Sequence, residues 1–89
     1  MQPINLSRTE IDAKGLKCPL PILHAKKALK ALEGGEVLSI WATDQHAVKD
    51  FTLFCLQTGH ELIKIEEENK NQPAYVVHLW LKKRVDVST

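Results

Sequence analysis

Cys18-Pro19-Leu20-Pro21 carries the clearest chemistry in this chain. Proline is favoured in the first turn of a helix, where its missing N–H would be unpaired anyway. An apolar run with helical spacing follows, so the stretch reads as a loop ending at Cys18 and a helix beginning at Pro19. A thiol placed there faces the positive end of a helix dipole and its unpaired N–H groups. Lys14 and Lys17 add flanking cations. Both effects favour the thiolate, so the thiol pKa is expected below its free value of about 8.5, with no catalytic base required. Pro19 and Pro21 act as scaffold, and Leu16 and Lys17 are the nearest backbone donors for whatever approaches the sulfur. No second cysteine lies two or three residues away, which excludes a thioredoxin-type dithiol.

Cys55, the other cysteine, falls on an apolar stripe with Phe51 and Phe54 and is expected to be an inert core residue. The sharper alternative is a Cys18–Cys55 redox pair, which needs Cα atoms closer than about 7 Å. His24, His46, His60 and His78 share no metal-ligand spacing, and no metal or cofactor is implied.

The elements that must position Cys18 follow from periodicity. Thr9 to Ala13 reads as a first strand, and Lys14-Gly15 as a turn. Pro19 to Leu32 is a helix with Ile22, Ala25, Ala28, Leu29 and Leu32 on one stripe, ended by Gly34-Gly35. Glu36 to Ala42 alternates as a second strand. Asp44 is placed to cap a second helix from about Gln45 to Thr58, which Gly59 ends. Glu61 to Glu67 is a third strand with Ile63 and Ile65 on one face, and Asn69 to Pro73 is a hairpin loop. Ala74 to Leu81 is a fourth strand with Tyr75, Val77, Leu79 and Leu81 on one face. The order β-α-β-α-β-β implies an α/β (α+β) two-layer sandwich: a mixed four-stranded sheet with both helices on one face. The expected domain spans 9–83, with residues 1–8 and 84–89 as tails.

With 89 residues, the chain holds one core. Twelve Lys and Arg against 11 Asp and Glu give no global drive toward nucleic acid or membrane. No apolar run approaches a membrane span or a signal peptide, so a soluble protein of the reducing cytoplasm is expected. Local features suggest contacts instead. Lys14, Lys17, Lys26 and Lys27 cluster in sequence around Cys18, with Leu20 and Leu23 among them as candidate partner contacts. Trp41, His78 and Trp80 share the open sheet face. Base stacking there is one reading; packing on one another is favoured, because basic residues are sparse on that face.

Asp12, Gly15, Cys18, Pro19 and Pro21 together resemble the Asp-x-x-Gly-x-x-Cys-Pro-x-Pro signature of the TusA (SirA/YedF-like) sulfur-carrier family. Gly34-Gly35, Asp44 and the Gly59-His60 corner agree with it. The resemblance implies a two-layer fold similar to the C-terminal domain of bacterial initiation factor 3. It implies that Cys18 takes sulfur as a persulfide from a cysteine desulfurase or rhodanese-like donor and passes it to a downstream acceptor protein. Transfer RNA 2-thiouridine synthesis, molybdenum cofactor synthesis and sulfur oxidation are the family's destinations. Leu20 stands where the tRNA-thiolation branch often carries Glu. A non-covalent regulatory or binding module, and a thiol-redox regulator, are the alternative functions.

Overall fold

Alternation of apolar side chains between two faces builds the central strands of the sheet. In the computed structural model, which describes residues 8–85, strand β1 spans Arg8–Ala13, β2 Val37–Ala42, β3 Glu61–Glu68 and β4 Val76–Lys82. Helix α1 spans Leu20–Ala31 and α2 Ala47–Thr58. The strand order is β1-β2-β4-β3, with β1 parallel to β2 and the two other pairs antiparallel. Both helices cross from one parallel strand end back over the same sheet face, giving the expected two-layer α+β sandwich.

Leu38, Ile40, Ala42, Val77, Leu79 and Leu81 are fully buried beneath the helices. Helix α1 contributes Ala25 and Leu29, and α2 contributes Ala47, Phe51, Phe54 and Cys55, so both apolar stripes point into one core. Each large aliphatic or aromatic side chain buried there contributes about 1.5–3 kcal/mol of hydrophobic stabilisation.

Strand β3 corrects the expected facing. A bulge between Leu62 and Lys64 puts Leu62 opposite Leu81 and Ile65 opposite Leu79, both on the helix side, with Ile63 as the extra residue. A bulge inserts one residue and so reverses the alternation beyond it. Ile63 and Ile65 therefore do not share a face, and both stay substantially exposed on the sheet edge.

Three further boundaries shift. Helix α1 ends at Ala31 with an extended Leu32 cap, ahead of the glycines; Gly35 supplies positive φ to the following turn. Arg8 pairs with Val37 as the first residue of β1 and is not tail. Arg84, expected to begin the C-terminal tail, is held in place together with Lys83. Lys83 exchanges backbone hydrogen bonds with Gly35 and Glu36, and its Nζ donates to the Leu29 and Leu32 carbonyls at 2.7 Å each. Those carbonyls are among the orphan acceptors of the α1 C-terminus. The Arg84 guanidinium likewise donates to the Thr58 carbonyl. The remaining tail residues, 1–7 and 86–89, lie outside the described part of the chain.

Candidate functional site around Cys18

The site is built by two loops at the same end of the parallel pair, one after β1 and one after β2. Gly15 turns the first loop with φ +85°, a left-handed value that glycine adopts without strain. Its N–H donates to Thr43 Oγ1 at 2.8 Å. The Cys18 N–H donates to Asp44 Oδ2 at 2.8 Å. The loop after β2 thus grips the loop that carries the thiol at two points.

Asp44 also turns its own loop. Its Oδ1 accepts the His46 N–H at 2.8 Å, and its carbonyl accepts the Ala47 N–H at 3.0 Å. The helix cap proper is His46, which makes no side-chain cap bond, so Asp44 is a turn residue two positions outside the expected capping role. These backbone donors, His46 first, hold the Asp44 carboxyl below the ordinary carboxylate range.

Cys18 is exposed and reduced, and its electrostatics reverse the expectation from sequence. The Asp50 carboxylate, from the first turn of α2, is the largest influence pushing its pKa up. Desolvation and the negative charges of Asp50 and Asp44 act in the same direction. Negative charge near a thiol favours its protonated form. Nor do the expected cations offset this. Lys14 turns instead to Asp12 at 3.4 Å and lies over the Trp41 ring, 5.3 Å from its centroid.

Of the anticipated backbone donors, the Leu16 N–H is taken by the Ala13 carbonyl at 3.2 Å. Cys18 lies two residues before the first helical residue, with Pro19 as the cap and Pro21 buried in the first turn. An open cavity of about 520 Å³ separates the two loops, walled by Leu16, Lys17, Cys18, Asp44 and His46. Leu20 and Leu23 are 43% and 51% exposed and Lys26 and Lys27 are exposed along α1, so an apolar strip with flanking cations leads away from the thiol. Leu53 and Leu56 are exposed on α2.

Cys55 is buried in the last turn of α2, where desolvation pushes its thiol up to about 11. Cys18 is exposed while Cys55 lies in the core, and both thiols are free, which speaks against a Cys18–Cys55 redox pair.

The sheet face away from the helices carries the aromatic ladder. His78 is sandwiched between Trp41 (centroids 3.8 Å apart) and Trp80 (3.7 Å), and Lys64 lies 4.8 Å over Trp80. Trp41 Nε1 donates to Glu10 at 3.0 Å. The rings pack on one another, as favoured from sequence. Among the described residues, no group of three or more His, Cys, Asp or Glu side chains is arranged to hold a metal ion.

Residues 9–80 match the family model described as sulfurtransferase TusA. The chain belongs to the TusA family of sulfur carriers. It is 58% identical over 59 residues to the sulfur carrier protein TusA of Allochromatium vinosum, covering 66% of this chain and 78% of that one. The putative sulfur carrier protein YrkI of Bacillus subtilis is 38% identical over 73 residues, covering 82% and 91%. In fold the chain is similar to the SirA-like protein of Desulfitobacterium hafniense, at TM-score 0.64 and 25% identity over 85% of this chain and 97% of that one. As a TusA-family carrier, the protein works between a sulfur donor and a sulfur acceptor. Among the described residues, no helix is long and apolar enough to cross a membrane.

Proposed function

We propose that Cys18 is the sulfur-bearing residue. It accepts sulfur as a persulfide from a cysteine desulfurase or rhodanese-like donor and surrenders it to a cysteine of a downstream acceptor. The observation that carries this reading is the exposed Cys18 thiol at the edge of an open cavity, on a loop fixed by the 2.8 Å bond to Asp44. Thiol exchange requires access for the attacking and leaving sulfurs, and an exposed thiol on a held loop gives both. Leu20 and Leu23, with Lys17, Lys26 and Lys27 beside them, form the contact strip for donor and acceptor, while Gly15, Pro19 and Pro21 hold the loop in shape.

The protein acts in the reducing cytoplasm, where Cys18 persists as a free thiol. Delivery toward 2-thiouridine in tRNA is the destination we propose. The placement of Cys55 speaks against a redox regulator, and the self-packed Trp41–His78–Trp80 ladder speaks against a base-stacking module.

The test incubates the protein with a cysteine desulfurase and cysteine and reads intact mass. Wild type gains one sulfur, localised to Cys18 by peptide mapping, and Cys18→Ser gains none. A Cys18→Ser protein that still takes up sulfur overturns the assignment. Loss of 2-thiouridine in cells carrying only Cys18→Ser supports the tRNA destination, and unchanged 2-thiouridine rejects it.

A further inference from the structure

We infer that a second cavity, between the C-terminal halves of α1 and α2, is a binding site for a small phosphate-bearing ligand. It stands apart from the thiol: Lys30, in its wall, lies about 15 Å along α1 from Leu20 at the helix start. The inference does not depend on the role of Cys18.

The cavity holds about 430 Å³, the size of a small-molecule site. Lys26, Lys30, Lys83 and Arg84 line it together with His60, and no Asp or Glu is among its described lining residues. Leu29 and Phe54, both core residues, give it an apolar surface as well. Two of the cations are fixed in place. Lys83 Nζ donates to the Leu29 and Leu32 carbonyls at 2.7 Å each, and Arg84 Nη1 to the Thr58 carbonyl at 2.6 Å. An ammonium has three donors, so Lys83 keeps one beyond these two bonds. The Arg84 N–H donates to His60 Nδ1 at 3.1 Å and seats the imidazole in the same wall. Groups held in advance lose little freedom when a ligand arrives.

The helix ends decide how much of this charge is already offset. Both helices end beside the cavity, and a helix C-terminus carries roughly half a negative charge. Together the two ends offset about one cation, and Lys83 and Arg84 already meet them. Lys26 and Lys30 remain. They are exposed one turn apart on α1, and neither is ion-paired to a described residue. Like charges at that spacing repel, and an anion between them relieves the repulsion. A phosphate monoester brings about two negative charges at neutral pH and three strong acceptor oxygens. Those oxygens can answer cations that arrive from α1 and from the residues after β4, and a guanidinium pairs with phosphate through parallel N–H bonds. A carboxylate brings one charge in one plane and meets fewer of them.

The test titrates inorganic phosphate, and separately adenosine monophosphate, into the isotope-labelled full chain at neutral pH. Sodium chloride holds the ionic strength constant, and amide shifts are read by NMR. Saturable shifts are expected at Lys26, Lys30, Thr58, Lys83 and Arg84, with Cys18 unmoved. The double variant Lys26→Gln, Lys30→Gln is expected to bind about 10-fold more weakly, the combined loss of two exposed charge contacts. The double variant Lys49→Gln, Lys70→Gln loses the same net charge elsewhere and binds like wild type. All four side chains are exposed, so both variants should fold, and the wild-type titration stands without them. Tighter binding of adenosine monophosphate than of inorganic phosphate assigns the site to a phosphate ester; equal binding assigns it to free phosphate. Either result supports the inference. Shifts that never saturate, or that chloride alone reproduces, overturn it, and so does equal weakening in the two double variants. A hexaglutamate peptide that moves these amides where both phosphates fail would give the cavity to an acidic protein segment and reject phosphate.

Discussion

Asp44 accepts the backbone N–H of Cys18 at 2.8 Å, across the gap between two loops that a helix and a strand separate in sequence. The same side chain turns its own loop through His46, so one carboxylate ties the thiol's backbone to the second βα connection. Asp44 thus fixes the backbone of the thiol residue, while Asp50 is the larger of two acidic influences that push its pKa up.

Replacing Asp44 with Ala removes both acceptors. The expected cost is about 1–2 kcal/mol, comparable to losing a helix cap. In a domain of this size each kcal/mol lowers the melting temperature by roughly 4–8 °C, which a thermal melt followed by circular dichroism reads directly. The pH dependence has a definite sign. The folded-state pKa of Asp44 lies below its unfolded value of 3.8, so its contribution is full above that value and disappears as pH falls through the folded pKa. The Asp44→Ala protein should lose this part of its acid sensitivity, and an unchanged acid-unfolding profile would contradict the assignment.

The two cysteines should react as different populations. In the native protein at pH 8 a disulfide reagent is expected to titrate Cys18 alone, with Cys55 appearing only after denaturation. Cys55 is buried with its thiol pushed up to about 11. The alkylation profile of Cys18 should lie to the alkaline side of an unperturbed cysteine, and Asp50→Asn should move it back. Two thiols released at equal rates in the native state would refute the burial argument.

His78 predicts a second pH effect. Burial lowers its pKa from 6.5; Glu10 and Glu66 oppose that shift, and Lys64 and Lys14 reinforce it. The unfolded chain therefore binds a proton here at a higher pH than the folded one. Stability from this site is complete above pH 6.5 and falls as pH drops from there toward the folded pKa. Urea midpoints at pH 7.5 and 5.5 should differ more for wild type than for His78→Phe, which keeps a ring between Trp41 and Trp80. Equal differences would remove His78 from the account.

Gly34 is required by space. A Cβ built there would lie 2.9 Å from the Val85 Cα and 3.0 Å from the Arg84 carbonyl oxygen, both backbone atoms. Gly34→Ala is expected to cost about 1–3 kcal/mol, as overpacking does, and to loosen residues 83–85. Faster amide exchange at Lys83 would accompany it, since that N–H bonds to the Glu36 carbonyl in the native fold.

The sheet was legible from sequence where alternation ran unbroken, as along β2 and β4. It failed along β3 because a bulge reverses alternation, and no residue between Leu62 and Lys64 announces one. The position of Cys18 at a helix start was legible from its prolines. Its electrostatics were not, because the deciding carboxylate arrives from α2, and local lysines were weighed in its place. The tie from Lys83 to the end of α1 was equally hidden: a polar residue near a chain end gives no sign that its ammonium reaches two helix carbonyls.

The bulged strand bears on solubility. Ile63 and Ile65 lie exposed on the free edge of β3, a place where another chain could add a strand. The irregular register breaks the flat template at Ile63, and Lys64, Glu66 and Glu68 bring charge to any incoming backbone. Such gatekeepers oppose edge-to-edge polymerisation. For a carrier that must meet a donor and an acceptor and leave both, a sheet edge that resists strand addition keeps this surface from holding on to either.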